Sequence, residues 1–138
     1  MEEHVRATGH ENVSGEHAST FEVTTDDYLT PAGDCILGIE ADRAPADFAP
    51  EFVAACQSYD ATITAEFVAA EHEFTVSGTG HPEFSFENER SLVGRTSDYV
   101  DDRTVMVNAD AAAADFDREL VAALAGGADL ELTLRVSE

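Results

Sequence analysis

The chain has 138 residues, with 29 acidic side chains against 7 basic ones and a formal net charge of −22. That is the length of one ordinary domain with a core of its own, and no stretch approaches the roughly 20 consecutive apolar residues of a membrane helix. The start, Met1-Glu2-Glu3-His4-Val5-Arg6, has no basic region followed by an apolar run. This excludes a secretory signal and predicts a cytoplasmic protein that does not enter membranes.

All seven basic residues are arginines. Such a balance ordinarily argues against nucleic acid as a partner. At about 1 M salt, however, the Debye length falls to roughly 3 Å, and a dense acidic surface no longer repels itself. The acidity is therefore read as a report on a high-salt cytoplasm, with salt ions at the surface, and nucleic acid stays open as a partner. Folding is expected to need molar salt. Cys35 and Cys56 are too few for a disulfide framework and are expected as free thiols.

In chain order, the first expected element is an extended segment ending at Thr8-Gly9-His10. A strand follows around Ala18 to Thr24, with Ser19, Phe21 and Val23 on one face. His17 has the same parity, so it is expected to point inward. Cys35-Ile36-Leu37-Gly38-Ile39 is an unbroken apolar run, as in a strand covered on both faces. Phe48, Phe52, Val53 and Cys56 make a helical stripe, with Pro45 and Pro50 before or within its first turn. Ile63, Ala65 and Phe67 alternate as a strand. A short turn at Ala69-Ala70-Glu71-His72 then leads into the strand Phe74 to Val76, an antiparallel hairpin.

From there the pattern is written again. Val5, Thr8, Gly9, His10, Thr25, Asp27 and Tyr28 recur 71 residues later as Val76, Thr79, Gly80, His81, Thr96, Asp98 and Tyr99. Asp34, Asp42, Asp47, Phe48, Val53 and Ala54 recur 68 residues later as Asp102, Asp110, Asp115, Phe116, Val121 and Ala122. The three-residue difference is an insert, Pro31-Ala32-Gly33, in the first copy. Phe116, Leu120, Val121 and Leu124 repeat the helix, which Gly126-Gly127 ends, and Leu130, Leu132, Leu134 and Val136 repeat the last strand. Each copy reads β-β-β-α-β. The expected fold is mainly β (α+β): a β-sandwich or closed barrel of about eight strands with two short helices. It forms one domain over 1–138 from two repeats, about 3–68 and 74–138, related by a pseudo-two-fold. On that symmetry the two ends of the chain must pair in space, as the central hairpin does without its turn.

The run Leu29-Thr30-Pro31-Ala32-Gly33-Asp34-Cys35-Ile36-Leu37-Gly38-Ile39 is the most specific part of a wider likeness. It extends through Thr8-Gly9-His10, Thr20-Phe21-Glu22-Val23-Thr24 and Asp98-Tyr99 to Asp115-Phe116-Asp117-Arg118-Glu119-Leu120-Val121. Over nearly its whole length the chain resembles a small archaeal family known only as a domain of unknown function. The resemblance implies a largely β, sandwich-like archaeal protein and no established activity or cofactor. The lysine-free acidity points to a haloarchaeal member.

Candidate site residues are weighed against structural roles. Asp34 and Asp102 follow turns and read as Asx-type caps. Asp42, Asp110, Asp47 and Asp115 stand where helices begin and read as helix caps. His10 and His81 are paired across the repeat, and bonding to a strand end is the ordinary reading. His17 and Cys35 are single, with Asn88 and Arg103 in the matching places. His10, His17, Asp34 and Cys35 are the candidates for a metal- or thiol-dependent active site, and His10, His17 and His81 those for a metal. No local ligand spacing, phosphate loop or nucleophile elbow accompanies them. A binding module for a small ligand, RNA or a protein partner is the first reading, and the enzyme is the alternative.

Overall fold

The computed structural model describes residues 1–137. Among them the chain forms eight strands and two short α-helices. The strands are β1 (Glu2–Thr8), β2 (Thr20–Thr24), β3 (Ile36–Gly38), β4 (Thr62–Ala69), β5 (His72–Thr79), β6 (Ser91–Arg95), β7 (Thr104–Met106) and β8 (Asp129–Ser137). The helices are α1 (Pro50–Cys56) and α2 (Arg118–Ala125), each preceded by a single 3-10 turn, Pro45–Asp47 and Ala113–Asp115. No helix among the described residues is long and apolar enough to cross a membrane.

The strands make two four-stranded sheets, ordered β1-β8-β4-β5 and β3-β2-β6-β7. Alternation decides which face is buried. Along β8, Leu130, Leu132, Leu134 and Val136 are buried while Glu131 and Arg135 are exposed. The inner faces meet across one core, where the Phe21 ring of β2 stands edge-on to Phe67 of β4 at 5.3 Å. Phe116, between the second 3-10 turn and α2, stacks near Phe67 and Phe74 at 4.8 and 4.4 Å. The sheets touch at both edges through single bridges, Thr8 to Ile39 and Thr79 to Val107. Neither bridge continues into a ladder, so the closed-barrel alternative is not what forms.

The two ends of the chain do pair. β1 runs antiparallel to β8 from Glu2–Arg135 to Thr8–Asp129, and β8 continues onto β4. The hairpin turn is shorter than expected: Ala69 and His72 already pair, leaving Ala70 and Glu71 as the turn.

Gly9 and Gly80 explain the Thr-Gly-His motif. A Cβ on Gly9 would lie 2.0 Å from the Leu124 carbonyl oxygen, and one on Gly80 2.1 Å from that of Cys56. Only glycine lets the strand exit pass this close under the end of a helix.

Asp47 and Asp115 cap as expected, each accepting from the N–H three residues back, Ala44 and Ala112, at 2.9 Å. Asp42 and Asp110 do not cap helices. Asp42 Oδ1 accepts from Arg6 N at 2.9 Å while Arg6 O accepts from Asp42 N at 2.9 Å, and Asp110 does the same to Ser77. β1 and β5 are edge strands, and these aspartates satisfy backbone groups that would otherwise stand bare. The chain had to cross to another sheet edge before its helix began, a step that proximity in sequence does not reveal.

Candidate binding site

His10 and His81 serve the turns that follow them. Nδ1 of each accepts from the backbone N–H two residues on, Asn12 and Glu83, at 3.0 Å. His17 lies ahead of β2, which begins only at Thr20, so the inward strand position expected for it does not exist. Its half-buried ring turns back on the chain. Nδ1 faces the N–H groups of Ser19 and Thr20 at 3.3 and 3.1 Å and the Thr20 hydroxyl at 3.0 Å.

The Cys35 thiol donates to Glu22 Oε1 at 3.6 Å. The backbone oxygen of Asp34 accepts from Glu16 and His17 at 3.1 and 3.3 Å. His17, Asp34 and Cys35 are thus neighbours, and among the described residues no hydrogen bond joins His10 to them. Burial, and after it the charge of Glu22, push the Cys35 thiol up to about 11. A nucleophilic cysteine needs the opposite environment. Cys56 is fully buried, and burial pushes it to about 12. Among the described residues no three His, Cys, Asp or Glu side chains form a group able to hold a metal ion.

The Asx-type cap expected at Asp102 falls one residue earlier. Asp101 Oδ1 accepts from Arg103 N and the Thr104 hydroxyl, both at 3.0 Å, and Oδ2 accepts from Arg95 and Arg103 at 2.9 and 2.8 Å. Burial opposes its charge, but the Arg103 guanidinium and N–H, with Arg95 behind them, hold its carboxyl down at about 2. The insert Pro31-Ala32-Gly33 is a tight turn closed by Gly33 N donating to Thr30 O at 3.0 Å.

A different place is concave. Beside β1 lies a cleft of about 420 Å³ lined by Arg6, Ala7, Thr8, Glu40, Asp42, Asp129, Leu130 and Glu131. A second depression of about 350 Å³, lined in part by His4 and Thr133, shares Arg6 and Glu131 with it. The ion pair between them is loose, at 3.7 Å, with both side chains more than half exposed; such a pair contributes little and opens readily. Three contacts assemble the cleft. The β1–β8 ladder brings Asp129 and Glu131 beside Thr8 and Arg6. The Thr8–Ile39 bridge delivers Glu40, held at φ 54°, and the Asp42 clamp fixes Arg6. Glu40, Asp129 and Glu131 had carried no signal, because nothing local in sequence connects them.

Most of the other arginines are engaged within the chain. Arg43 pairs with Glu3 at 2.7 Å, Arg90 with Asp26 at 3.7 Å, and Arg135 with Glu2 at 2.8 Å and with Glu66. Arg118 donates to the carbonyls of Gly15, Ala113 and Phe116. Among the described residues no basic patch is left to follow a phosphate backbone.

A family model described as Domain of unknown function (DUF371) matches residues 5–137. An uncharacterized protein of Methanocaldococcus jannaschii is 39% identical over 130 residues, covering 94% of this chain and 96% of its own.

Proposed function

The chain belongs to the DUF371 family, and we propose, from the geometry of its surface, that it is a non-catalytic binding module whose cleft beside β1 takes a small organic cation. We read the fold as a sandwich and as one domain built twice, over about 3–68 and 74–138. The sheet orders support this, since exchanging β1 with β5, β2 with β6, β3 with β7 and β4 with β8 returns both. So do the matching bridges at Thr8 and Thr79.

The observation that carries the reading is the difference between matching surfaces. Where the cleft has Arg6, Glu40, Asp42, Asp129 and Glu131, the other half has Ser77, Asn108, Asp110, Thr62 and Thr64, matched through the β1–β8 and β5–β4 registers. Features shared by two copies serve the fold, and a difference concentrated in one cleft is where function is grafted. Carboxylates around a cleft of this size suit an amine or guanidinium ligand. RNA is the weaker partner because most arginines are already engaged within the chain. The enzyme reading has no support from geometry: the Cys35 thiol is held protonated, and His17 spends its Nδ1 on the backbone.

The habitat belongs to the same proposal. A charge of −22 without one lysine supports a haloarchaeal cytoplasm. Circular dichroism should record loss of structure on dialysis to about 0.1 M salt, where the Debye length is about 10 Å. Full retention of the folded spectrum there would remove this part of the reading.

The cleft is tested by calorimetric titration with putrescine and with arginine amide at the lowest KCl concentration that keeps the protein folded. Binding of at least one, weakened about tenfold or more by Glu40→Gln with Asp129→Asn, is expected. Heat that is absent for both cations, or unchanged in the variant, would overturn it.

A further inference from the structure

The two edges of the first sheet are finished differently. In antiparallel pairing, residues alternate between those bonded to the neighbouring strand and those whose N–H and C=O point away. On β5 the outward set includes Thr79 and Ser77, which bond to Val107 and Asp110. By the same alternation it includes Thr75 and Glu73. Among the described residues, neither has a backbone partner on that side. On β1 the place matching Thr75 is His4, whose carbonyl accepts from Arg43 at 2.9 Å. Arg43 is in turn held by Glu3 at 2.7 Å. In the other half, Ala111 stands where Arg43 stands, and Phe74 where Glu3 stands. The covering arginine and its carboxylate are replaced together by two apolar residues. Phe74 stays only half-buried, against Phe116 at 4.4 Å.

We propose that the β5 edge at Glu73 and Thr75 docks an extended, basic segment of another protein as an added strand. Main-chain bonds to these two residues would supply the attachment. A side chain opposite Phe74 falls on the inner face, beside Phe74 and Ala111, and should be apolar. Its neighbours fall on the outer face beside Glu73 and Thr75, with Glu66 behind Thr75 on β4. Charge selects the occupant: the exposed Glu71 and Glu73 flank the open stretch, so lysine or arginine fits the flanking places. A second copy fits badly. Two β5 strands paired about Phe74 would set Glu71 against Ser77 of the second copy, where Asp110 already occupies the edge.

The test is amide-resolved NMR with the blocked peptide Lys-Val-Lys-Val-Lys and its glutamate counterpart, at the lowest KCl concentration that keeps the protein folded. The lysine peptide should shift the Glu73 and Thr75 amides and slow their exchange, and the glutamate peptide should not. Thr75→Pro removes an outward N–H and is tolerated in an edge strand. Ala111→Arg restores the cover found on β1 and serves even if the proline variant unfolds. Each should weaken the lysine peptide about tenfold or more. No change at Glu73 and Thr75, an equal response to both peptides, undiminished binding in folded Ala111→Arg, or sedimentation as a dimer that Ala111→Arg dissociates would overturn it.

Discussion

Nδ1 of His17 and Oδ1 of Asn88, 71 residues apart, accept from the backbone N–H groups two and three residues ahead of each, Ser19 and Thr20 in one case and Arg90 and Ser91 in the other. An imidazole and an amide thus play the same part, closing the turn that launches a strand.

That equivalence sets an expectation for substitution. His17→Asn should leave stability within about 0.5 kcal/mol, because asparagine already does this work at position 88. His17→Ala should cost about 0.5–2 kcal/mol, the usual loss when a side-chain cap is removed. Urea unfolding of both variants measures it. A costly asparagine beside a harmless alanine would mean that His17 has another role.

Asp101 makes stability depend on pH. Its carboxyl is held down at about 2 against an ordinary 3.8. A carboxylate depressed in the folded state contributes stability that is present above its unfolded value and lost as pH falls through the folded one. The unfolding midpoint should therefore drop between about pH 4 and pH 2, more steeply in wild type than in Asp101→Asn. The asparagine variant should also lose about 1–3 kcal/mol near neutrality, because the little-exposed Arg95 guanidinium loses its charged partner. Parallel acid profiles in the two proteins would contradict the ion-pair assignment.

Cys35 should behave as a structural thiol. With its thiol pushed up to about 11, roughly a thousandth is thiolate at pH 8, far less than for a free cysteine. Labelling by a disulfide reagent in folding buffer should run much slower than in denaturant. Rapid stoichiometric labelling of folded protein would revive the thiol-enzyme reading.

What the sequence disclosed was largely periodic. The alternation of Leu130, Leu132, Leu134 and Val136, the helical stripes and the doubled pattern pointed to the eight strands, the two α-helices and the meeting of the chain ends, though not to the two 3-10 turns, because burial repeats along a strand or helix. The polar residues were harder. His17 and Asp42 were placed by their distance from the nearest element, yet each bonds according to where the chain turns next. The cleft was invisible for a related reason: Glu40, Asp129 and Glu131 become neighbours only through the β1–β8 ladder and the Thr8–Ile39 bridge.

Every comparison between matching positions rests on the chain being one unit built twice, and joining its ends tests that most directly. Ala69 and His72 close the central hairpin around Ala70-Glu71. At the ends, Val136 N donates to Met1 O at 3.1 Å, so Ser137-Glu138 joined directly to Met1 would supply a turn of the same length. A permuted chain with that direct join, opened between Ala70 and Glu71, should fold with the circular dichroism of the parent and unfold within about 1–2 kcal/mol of it. A permutant that stays unfolded in molar salt, or that folds only when a longer linker is inserted at the join, would contradict the two-fold construction.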